Sequence, residues 1–249
     1  MCFCRYYKRQ TSIKEIIDKE RDISYQALGS EGDPEFKFIP GKNGILISAP
    51  HGAVHYRKNR SKEEDEYTAG IAQWLAEKTS SHVIYLRRRV DYDPNYDVIC
   101  PYKQDLASLV QDHDIQFIID VHGASDTRDF GIAIGTMHGL SCPDPLKMHI
   151  VESLTESGFS ENSSGLDRLD VDNTFAGAGS DQTMTIIKFA HHKLGISAVQ
   201  LELNAKLRIP ERRLDSSVKK PFSGDPERIT NALLALKRVI YVVEDFVIR

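Results

Sequence analysis

The sequence lacks the features of membrane, nucleic-acid-binding and disulfide-stabilised proteins. No apolar stretch in its 249 residues approaches the roughly 20 residues that a membrane span needs. The net charge of −4 at pH 7 gives no reason to expect nucleic acid or an anionic membrane as a partner. The four cysteines form no Cys-x-x-Cys pair, so we expect them to be reduced. Because the first residues also lack an apolar signal core, we expect a cytoplasmic protein.

The motifs of two other enzyme classes are missing as well. There is no Gly-x-Ser-x-Gly sequence, which argues against a serine hydrolase. The glycine-containing segment 175–179 lacks the lysine and the spacing of a phosphate-binding loop. The candidate chemistry therefore lies with histidines and acidic residues.

The hydrophobic pattern alternates between strand-like runs and helical segments from residue 44 onward. Strands are predicted over Ile45–Ser48, His82–Leu86, Ile115–Val121, Gly131–Gly135 and Ser197–Leu203. Helices are predicted from a capping box at Ser61-x-x-Glu64, then over Lys103–Gln111, Pro145–Ser157, Gln182–Leu194 and Ile229–Val247. Residues 160–181 are predicted to form a long loop.

This alternation predicts an α/β fold. We expect a three-layer sandwich, in which helices cover both faces of a mainly parallel, mixed central sheet. The length suits a single domain over residues 1–249, in which residues 1–43 form a polar lead-in.

Two histidines each follow a strand-like run and precede a glycine. His51 comes shortly after Ile45–Ile47, and His122 comes shortly after Phe117–Ile119. The ends of parallel strands are where ligands and metals collect in open α/β sheets. One histidine at a strand end is usually structural, but two on separate strands favour a metal. Zinc accepts histidine nitrogen and carboxylate oxygen, and its catalytic sites use three protein ligands.

The acidic run at residues 63–66 offers the third ligand. On a helix that begins at Ser61, Glu66 would face solvent and Glu64 would be the capping partner of Ser61. Asp65 would lie at the edge of the buried face. We choose Asp65, with Glu64 as the alternative. The run could instead only complement the positive end of the helix dipole.

Glu202 is the candidate general acid and base. It lies inside a strand-like run and shares one face of the strand with Gln200 and Asn204. A buried carboxylate near a metal can accept a proton and pass it to a leaving amine. The alternative is a structural salt bridge with Arg208 or another cation.

Basic residues near these positions suggest recognition of an acidic substrate. Arg89 ends the run Arg87–Arg89, and its planar guanidinium suits a substrate carboxylate or a developing oxyanion. A solvated turn is the alternative for this cluster. Candidate substrate-binding residues are Asn95, Asn204 and Arg208, while His55 is expected at the surface.

The ordered motifs resemble the N-formylglutamate amidohydrolase family, a branch of the zinc-carboxypeptidase-like hydrolases. The matching pieces span roughly residues 44 to 210 and are Pro50-His51-Gly52, Asp65, Arg89-x-x-x-Asp93-x-Asn95, Asp120-x-His122-Gly123 and Gln200-x-Glu202. The resemblance implies the zinc-carboxypeptidase-like fold, zinc held by His51, Asp65 and His122, Glu202 as general acid and base, and Arg89 near the substrate. One departure is that Gly52 and Gly123 follow the two histidines, where the family often has serine.

The expected function is zinc-dependent hydrolysis of an amide bond in a small acidic substrate, an N-acyl amino acid such as N-formylglutamate. One alternative is carboxypeptidase-like cleavage of a peptide or γ-glutamyl end, and another is a non-catalytic binding protein. The expected partner is a small anionic molecule, with no nucleic acid or membrane. The sequence does not fix the oligomeric state.

Overall fold

A seven-stranded sheet forms the centre of the computed structural model, which describes residues 12–247. The strands are β1 (Phe36–Ile39), β2 (Ile45–Ala49), β3 (His55–Arg57), β4 (Arg60–Lys62), β5 (His82–Leu86), β6 (Phe117–Ala124), β7 (Ile132–Gly135), β8 (Leu169–Val171) and β9 (Ser197–Asn204). Their order in the main sheet is β1-β5-β2-β6-β9-β7-β8, while β3 and β4 form a separate hairpin. Strands β5, β2, β6 and β9 are mutually parallel, β1 and β7 are antiparallel to their inner neighbours, and β8 is parallel to β7.

Helices cover both faces of this sheet. They are α1 (residues 12–20), α2 (Thr68–Thr79), α3 (Pro101–Asp112), α4 (Asp144–Glu156), α5 (Ile186–Phe189) and α6 (Pro226–Val247). Residues of α2, α4 and α6 share one hydrophobic cluster with one face of the strands, and residues of α3 and α5 share a second cluster with the other face. The predicted three-layer α/β sandwich with a mainly parallel, mixed sheet is therefore confirmed. Within residues 12–247, no helix is both long enough and apolar enough to cross a membrane.

The inner strands carry the apolar pattern that parallel sheets require. All five residues of β2 and all five of β5 are buried, because helices cover both sides of these strands. Such continuous apolar runs made the strands recognisable in the sequence. Cys100 and Cys142 are free and buried, whereas Cys2 and Cys4 lie outside the described residues.

The region before α2 differs from the prediction. Residues Arg60–Lys62 form β4 instead of opening a helix, and α2 begins only at Thr68. The hairpin turns at Lys58 and Asn59, whose φ angles of 49° and 60° suit a two-residue turn. The capping box at Ser61 was therefore wrong. Glu64 accepts hydrogen bonds from Ser216 and Ser217 instead.

Other differences are smaller and concern short elements. The predicted loop over residues 160–181 contains β8, which pairs in parallel with β7. The helix predicted from Gln182 begins at Ile186 and continues as a π-helical turn over Ala190–Leu194. Within the predicted lead-in, α1 and β1 are regular elements, and β1 forms one edge of the sheet. A short helix is predicted from Thr11 to Asp22, and α1 confirms it within the described residues. Strands of three or four residues such as β8 and β1 carry too little periodicity to be recognised from sequence.

A buried carboxylate ties α1 to the start of α2. Glu20 is fully buried and accepts hydrogen bonds from the backbone N–H groups of Tyr67 (3.0 Å) and Gly70 (2.7 Å). It also accepts one from the hydroxyl of Tyr25 at 2.7 Å. The first N–H groups of a helix have no partner inside the helix. Glu20 therefore caps the N-terminus of α2, although it lies in a distant part of the chain.

We expect Glu20→Ala to destabilise the fold by about 3 kcal/mol, because it leaves buried donors without acceptors. The free energy of unfolding in urea measures this loss. Lys14→Ala changes an exposed residue of the same helix and should leave the free energy of unfolding unchanged. Equal stabilities for the two variants would contradict the capping role.

Candidate metal centre

His51, Asp65 and His122 converge at the carboxyl edge of the parallel strands. His51 lies two residues beyond β2, His122 lies near the end of β6, and Asp65 comes from the loop between β4 and α2. The Nδ1 atoms of the two histidines are 3.2 Å apart. The Oδ2 atom of Asp65 lies 3.3 Å from Nδ1 of His51 and 3.4 Å from Nδ1 of His122. The three candidate ligand atoms therefore form a nearly equilateral triangle.

This triangle has the dimensions of a zinc site. Zinc–nitrogen and zinc–oxygen bonds of about 2.0–2.2 Å in a tetrahedron separate neighbouring ligand atoms by about 3.3–3.6 Å. The observed separations of 3.2–3.4 Å lie at the lower end of this range or within 0.1 Å of it. The three residues therefore fit a divalent ion of the size of zinc.

Two buried aspartates fix the orientation of the histidine rings. The Nε2 atom of His51 lies 3.0 Å from Oδ1 of Asp93, and Nε2 of His122 lies 2.8 Å from Oδ2 of Asp120. When each Nε2–H donates to its aspartate, a neutral ring keeps its lone pair on Nδ1. Both lone pairs and the carboxylate of Asp65 then point to one place, an arrangement that a cation stabilises.

The backbone around Asp65 explains why this acid, and not Glu64, meets the histidines. The N–H of Asp65 donates to the carbonyl of His51 at 2.8 Å, and its carbonyl accepts from the N–H of Thr68 at 3.0 Å. The carboxylate of Glu64 is turned toward Ser216 and Ser217.

Asp65 and Asp93 are held ionised. Burial alone raises the pKa of Asp65, but without a metal the protonated rings of His122 and His51 donate hydrogen bonds to its carboxylate and keep the pKa far below its usual range. A bound cation would take the place of those protons. Burial likewise opposes ionisation of Asp93, and the charges of His51 and Arg57 help to lower the pKa of its carboxyl. An ionised Asp65 is the form that binds a metal.

Two residues of the β3–β4 hairpin complete the surroundings of His51. The ring of His55 stacks on that of His51, with centroids 3.9 Å apart and planes 6° apart. Burial, together with the nearby His51, lowers the pKa of His55 to about 3, so its ring is neutral. The predicted surface position of His55 was wrong, since the side chain is buried. Arg57, which sequence analysis missed, donates from Nε to Asp93 at 2.6 Å.

Two open cavities meet at this centre, and His51, Arg57, Asp65 and Gly123 line both. Cavity A has a volume of about 560 Å³. Charged side chains of both signs line it: Arg57, Lys62, Arg208, Arg212, Lys220, Glu63, Glu64, Asp65, Glu66 and Asp126.

Cavity B has a volume of about 600 Å³. Away from the centre its walls are mainly amide, hydroxyl and small side chains, together with Tyr96 and His138. They include Asn95, Gln200 and the segment 173–179. Room therefore exists on both sides of the candidate metal centre.

Glu202 lies in cavity B beside the metal centre. In the sheet it is paired with His122 on the neighbouring strand, and only 6% of its surface is exposed. Burial raises the pKa of Glu202 to about 7, although the nearby His122 opposes this rise. Its Oε1 accepts a hydrogen bond from Nε2 of Gln200 at 3.0 Å. In the part of the chain that the structure describes, Glu202 has no salt bridge with Arg208.

The structure brings two of the candidate substrate residues to the cavities. Arg208 lines cavity A and is buried, and Asn95 lines cavity B. The amide oxygen of Asn95 accepts from the N–H of Ile186 at 2.8 Å. Gly123 leaves the space that Arg208 occupies, because a Cβ atom at position 123 would lie 2.5 Å from Nε of Arg208.

Two other candidates lie elsewhere. Arg89 lines neither cavity A nor cavity B, and its backbone N–H donates to the carbonyl of Ala27 at 2.8 Å. The preceding Arg87 and Arg88 form ion pairs with Asp33, which directs this cluster toward the N-terminal segment. The placement of Arg89 near the substrate therefore has no support in the geometry.

Asn204 is fully buried and also lines neither cavity. Its Nδ2 donates to the carbonyls of Arg128 and Phe130, and its Oδ1 accepts from the N–H of Lys206. These backbone partners occupy the groups that a substrate would need. Asn204 thus anchors neighbouring loops instead of lining the site.

No family model and no curated protein matches the chain. Among solved structures, N-formylglutamate amidohydrolase from Ralstonia eutropha JMP134 superposes with a TM-score of 0.56 at 12% identity, over 86% of this chain and 98% of that one. Gene product Atu2144 from Agrobacterium tumefaciens gives 0.55 at 12% identity, over 88% and 99%. A metallo-carboxypeptidase from Pseudomonas aeruginosa gives 0.50 at 10% identity, over 92% and 68%. The chain thus shares its fold with an amidohydrolase and a metallo-carboxypeptidase, and the resemblance found in the sequence is confirmed for the fold.

We expect the protein to bind about one zinc ion per chain through the three converging residues. Elemental analysis after dialysis should show metal loss in His51→Ala, His122→Ala and Asp65→Ala. Glu64→Ala is the matched control and should keep its metal, because Glu64 faces Ser216 and Ser217. Full occupancy in either histidine variant would disprove the site.

A separate prediction concerns Asp120, which orients His122. Asp120→Asn removes the negative charge behind the ring and should weaken zinc binding by about 10–100-fold. Competition with a chromogenic chelator measures the affinity. Asp105→Asn, an exposed change on α3, serves as the control. An unchanged affinity in Asp120→Asn would mean that the aspartate does not tune the ligand.

Proposed function

We propose that the protein is a zinc-dependent hydrolase of an amide bond in a small acidic substrate, an N-acyl amino acid such as N-formylglutamate. One observation carries the proposal: three convergent ligand atoms and a buried carboxylate lie together where two cavities meet. The shared fold with an amidohydrolase supports the choice of reaction. Two histidine nitrogens and one carboxylate oxygen at tetrahedral spacing support the choice of zinc.

His51, Asp65 and His122 would hold the ion. A bound zinc ion supplies Lewis-acid chemistry, since it polarises a carbonyl oxygen and makes a nearby water molecule more acidic. The protein holds the ligands ready through Asp93 and Asp120, so that little reorganisation accompanies binding.

Glu202 is the proposed general base and general acid. Its ionised carboxylate accepts a proton from the attacking water and then donates this proton to the nitrogen of the leaving amine. Burial raises the pKa of Glu202 to about 7, near the range in which a group can both accept and donate a proton. The hydrogen bond from Gln200 orients one oxygen of the carboxylate.

The charged residues of cavity A suit the amine half of the substrate. Arg208 is buried there, and within residues 12–247 its guanidinium donates only to the carbonyls of Leu203, Glu66 and Ala124. Its fork therefore remains available for a substrate carboxylate. Arg57 lines both cavities and takes the role first given to Arg89, that of a cation near the developing oxyanion.

The acyl half would then occupy cavity B, where Asn95 is the proposed polar contact. A volume of about 600 Å³ exceeds what a formyl group needs. This observation favours larger acyl groups, and with them the second candidate function, cleavage of a peptide or γ-glutamyl bond.

A panel of amides separates these functions. Zinc-loaded protein should hydrolyse N-acyl amino acids, and removal of the metal by a chelator should abolish the activity until zinc is restored. Comparison of N-formylglutamate with longer N-acyl and γ-glutamyl amides identifies the acyl group. If the protein binds these amides but hydrolyses none of them, it is a non-catalytic binding protein.

Glu202→Gln should reduce kcat by about 10²–10⁴-fold, because the amide keeps the size of the side chain but cannot accept the proton. The zinc content should stay that of the parent protein. In the parent, kcat/KM should fall as decreasing pH protonates Glu202. The pH profile of the variant's residual kcat/KM should lack this decrease at low pH. A metal-free variant would make Glu202 a ligand, and a fully active one would make it structural.

A further inference from the structure

Cavity A contains a buried cation and a buried anion that are not paired with each other. Arg208 and Glu64 both line this cavity, and each is only 5% exposed. Among the described residues, neither side chain takes part in a salt bridge. An isolated buried charge is costly unless a partner compensates it. The groups that compensate the charge of Arg208 and the charge of Glu64 therefore have to be identified separately.

Arg208 is fixed in place by the backbone. Its Nε, Nη1 and Nη2 atoms donate to the carbonyls of Leu203, Glu66 and Ala124, at 3.2, 2.5 and 3.5 Å. A guanidinium carries five N–H donors, so three bonds to neutral oxygens leave two N–H donors for a ligand. Burial raises the pKa of the nearby Glu66, and the positive charge of Arg208 helps to oppose this rise. Gly123 permits this position, since any side chain there would collide with the guanidinium.

Glu64 is held in a similar way by neutral groups. Its Oε1 accepts from Oγ of Ser216 at 2.9 Å and from the N–H of Ser217 at 2.8 Å. Its Oε2 is buried and has no hydrogen-bond partner in the part of the chain that the structure describes. The same is true of Oε1 of Glu66, whose other oxygen accepts from Nε of Arg212 at 2.8 Å. Glu64 and Glu66, which both line cavity A, thus each have one buried oxygen that lacks the donor that buried carboxylates normally have.

The wall of cavity A therefore carries both an acceptor-rich anionic part and a donor-rich cationic part. Neutral backbone and serine groups hold Arg208 and Glu64, and an ion pair with Arg212 holds Glu66, so Arg208 and Glu64 do not pair with one another. A ligand that brings a carboxylate to Arg208 and an ammonium group to Glu64 and Glu66 would satisfy both at once. A purely anionic ligand would satisfy Arg208 and add repulsion at the glutamates.

We infer that cavity A recognises an amine half that is zwitterionic, with a carboxylate bound by Arg208 and a cationic amine bound by Glu64 and Glu66. The inference rests on the proposed amide hydrolysis, but it assigns as substrate an acylated diamino acid in place of an acidic N-acyl amino acid such as N-formylglutamate. Two kinds of acylated diamino acid have this combination of charges. In one, the acyl group is attached to the α-nitrogen and the side-chain ammonium is free. In the other, the acyl group is attached to the side-chain nitrogen and the α-ammonium is free.

Binding to a zinc-loaded Glu202→Gln protein tests the inference without turnover. Isothermal titration calorimetry compares four amides: Nα-acetyl-L-lysine, Nε-acetyl-L-lysine, N-acetyl-L-norleucine and N-acetyl-L-glutamate. Norleucine has the length of lysine without the ammonium group. At least one acetyl-lysine should bind about tenfold more tightly than N-acetyl-norleucine, since a charge-assisted hydrogen bond is lost in the latter. The acetyl-lysine that binds more tightly shows whether the acyl group belongs on the α-nitrogen or on the side-chain nitrogen.

The substitution Glu64→Gln, added to the Glu202→Gln protein, tests whether Glu64 causes the preference for acetyl-lysine over N-acetyl-norleucine. Glutamine keeps an oxygen for Ser216 and Ser217 but replaces the unpartnered oxygen by an amide group, so the tenfold ratio should fall to about one. Glu63→Gln removes the same charge from an exposed neighbour in cavity A and should leave the ratio unchanged.

Several results would overturn the inference: equal binding of the lysine and norleucine amides, tightest binding of N-acetyl-glutamate, no binding of any amide, or a ratio that survives Glu64→Gln. Hydrolysis of amides by the parent protein is measured separately. Turnover without a lysine preference would refute the inference alone, and a preference without turnover would refute the proposed function alone.

Discussion

The hydrogen bonds from two aspartates to two histidines are the constraint on which the site depends. Asp93 and Asp120 are completely buried and face the Nε2 atoms of His51 and His122. They leave the opposite nitrogens of the rings, 3.2 Å apart, directed at one position. Asp65 brings a third electron-rich atom to the same position. A cation stabilises such a cluster of electron-rich atoms, which is why a metal is the explanation that we propose.

The sheet topology places these residues at an edge where two cavities meet. The parallel strands β2, β6 and β9 end at one edge, so His122 and Glu202 become neighbours although they are 80 positions apart in the sequence. Cavity A and cavity B meet at that edge. Glu202, the proposed general base, lies in cavity B, and the charged residues proposed to recognise the substrate line cavity A. A bond placed between the cavities would be within reach of both.

Residues at the ends of buried strands could be predicted from the sequence because their local pattern is strong. Ile45–Ile47 and Phe117–Ile119 mark the strands, and the chain order of the motifs suggested the fold that the structural similarity confirms. Asp65 was chosen by a helix-face argument, yet the helix begins only at Thr68. What places it is a backbone bond to His51, which no local pattern encodes.

The failures have a common cause, which is pairing between distant segments. Arg89 belongs to a cluster that the acids of the N-terminal segment draw away from the site. Arg57 and His55 lie on a hairpin of three-residue strands, too short to show an alternating pattern. Glycines after the histidines have steric reasons that only the structure reveals. A Cβ atom at Gly52 would lie 2.3 Å from the carbonyl oxygen of Leu86, and one at Gly123 would meet Arg208.

Crystallographic anomalous scattering across the zinc absorption edge tests the central claim most directly. The account predicts a single anomalous peak about 2.0–2.2 Å from Nδ1 of His51, Nδ1 of His122 and Oδ2 of Asp65. The peak should be strong above the edge and weak below it. A crystal grown with zinc that shows no peak there, or a peak coordinated by Glu64 or Glu202 in place of Asp65, would contradict the account.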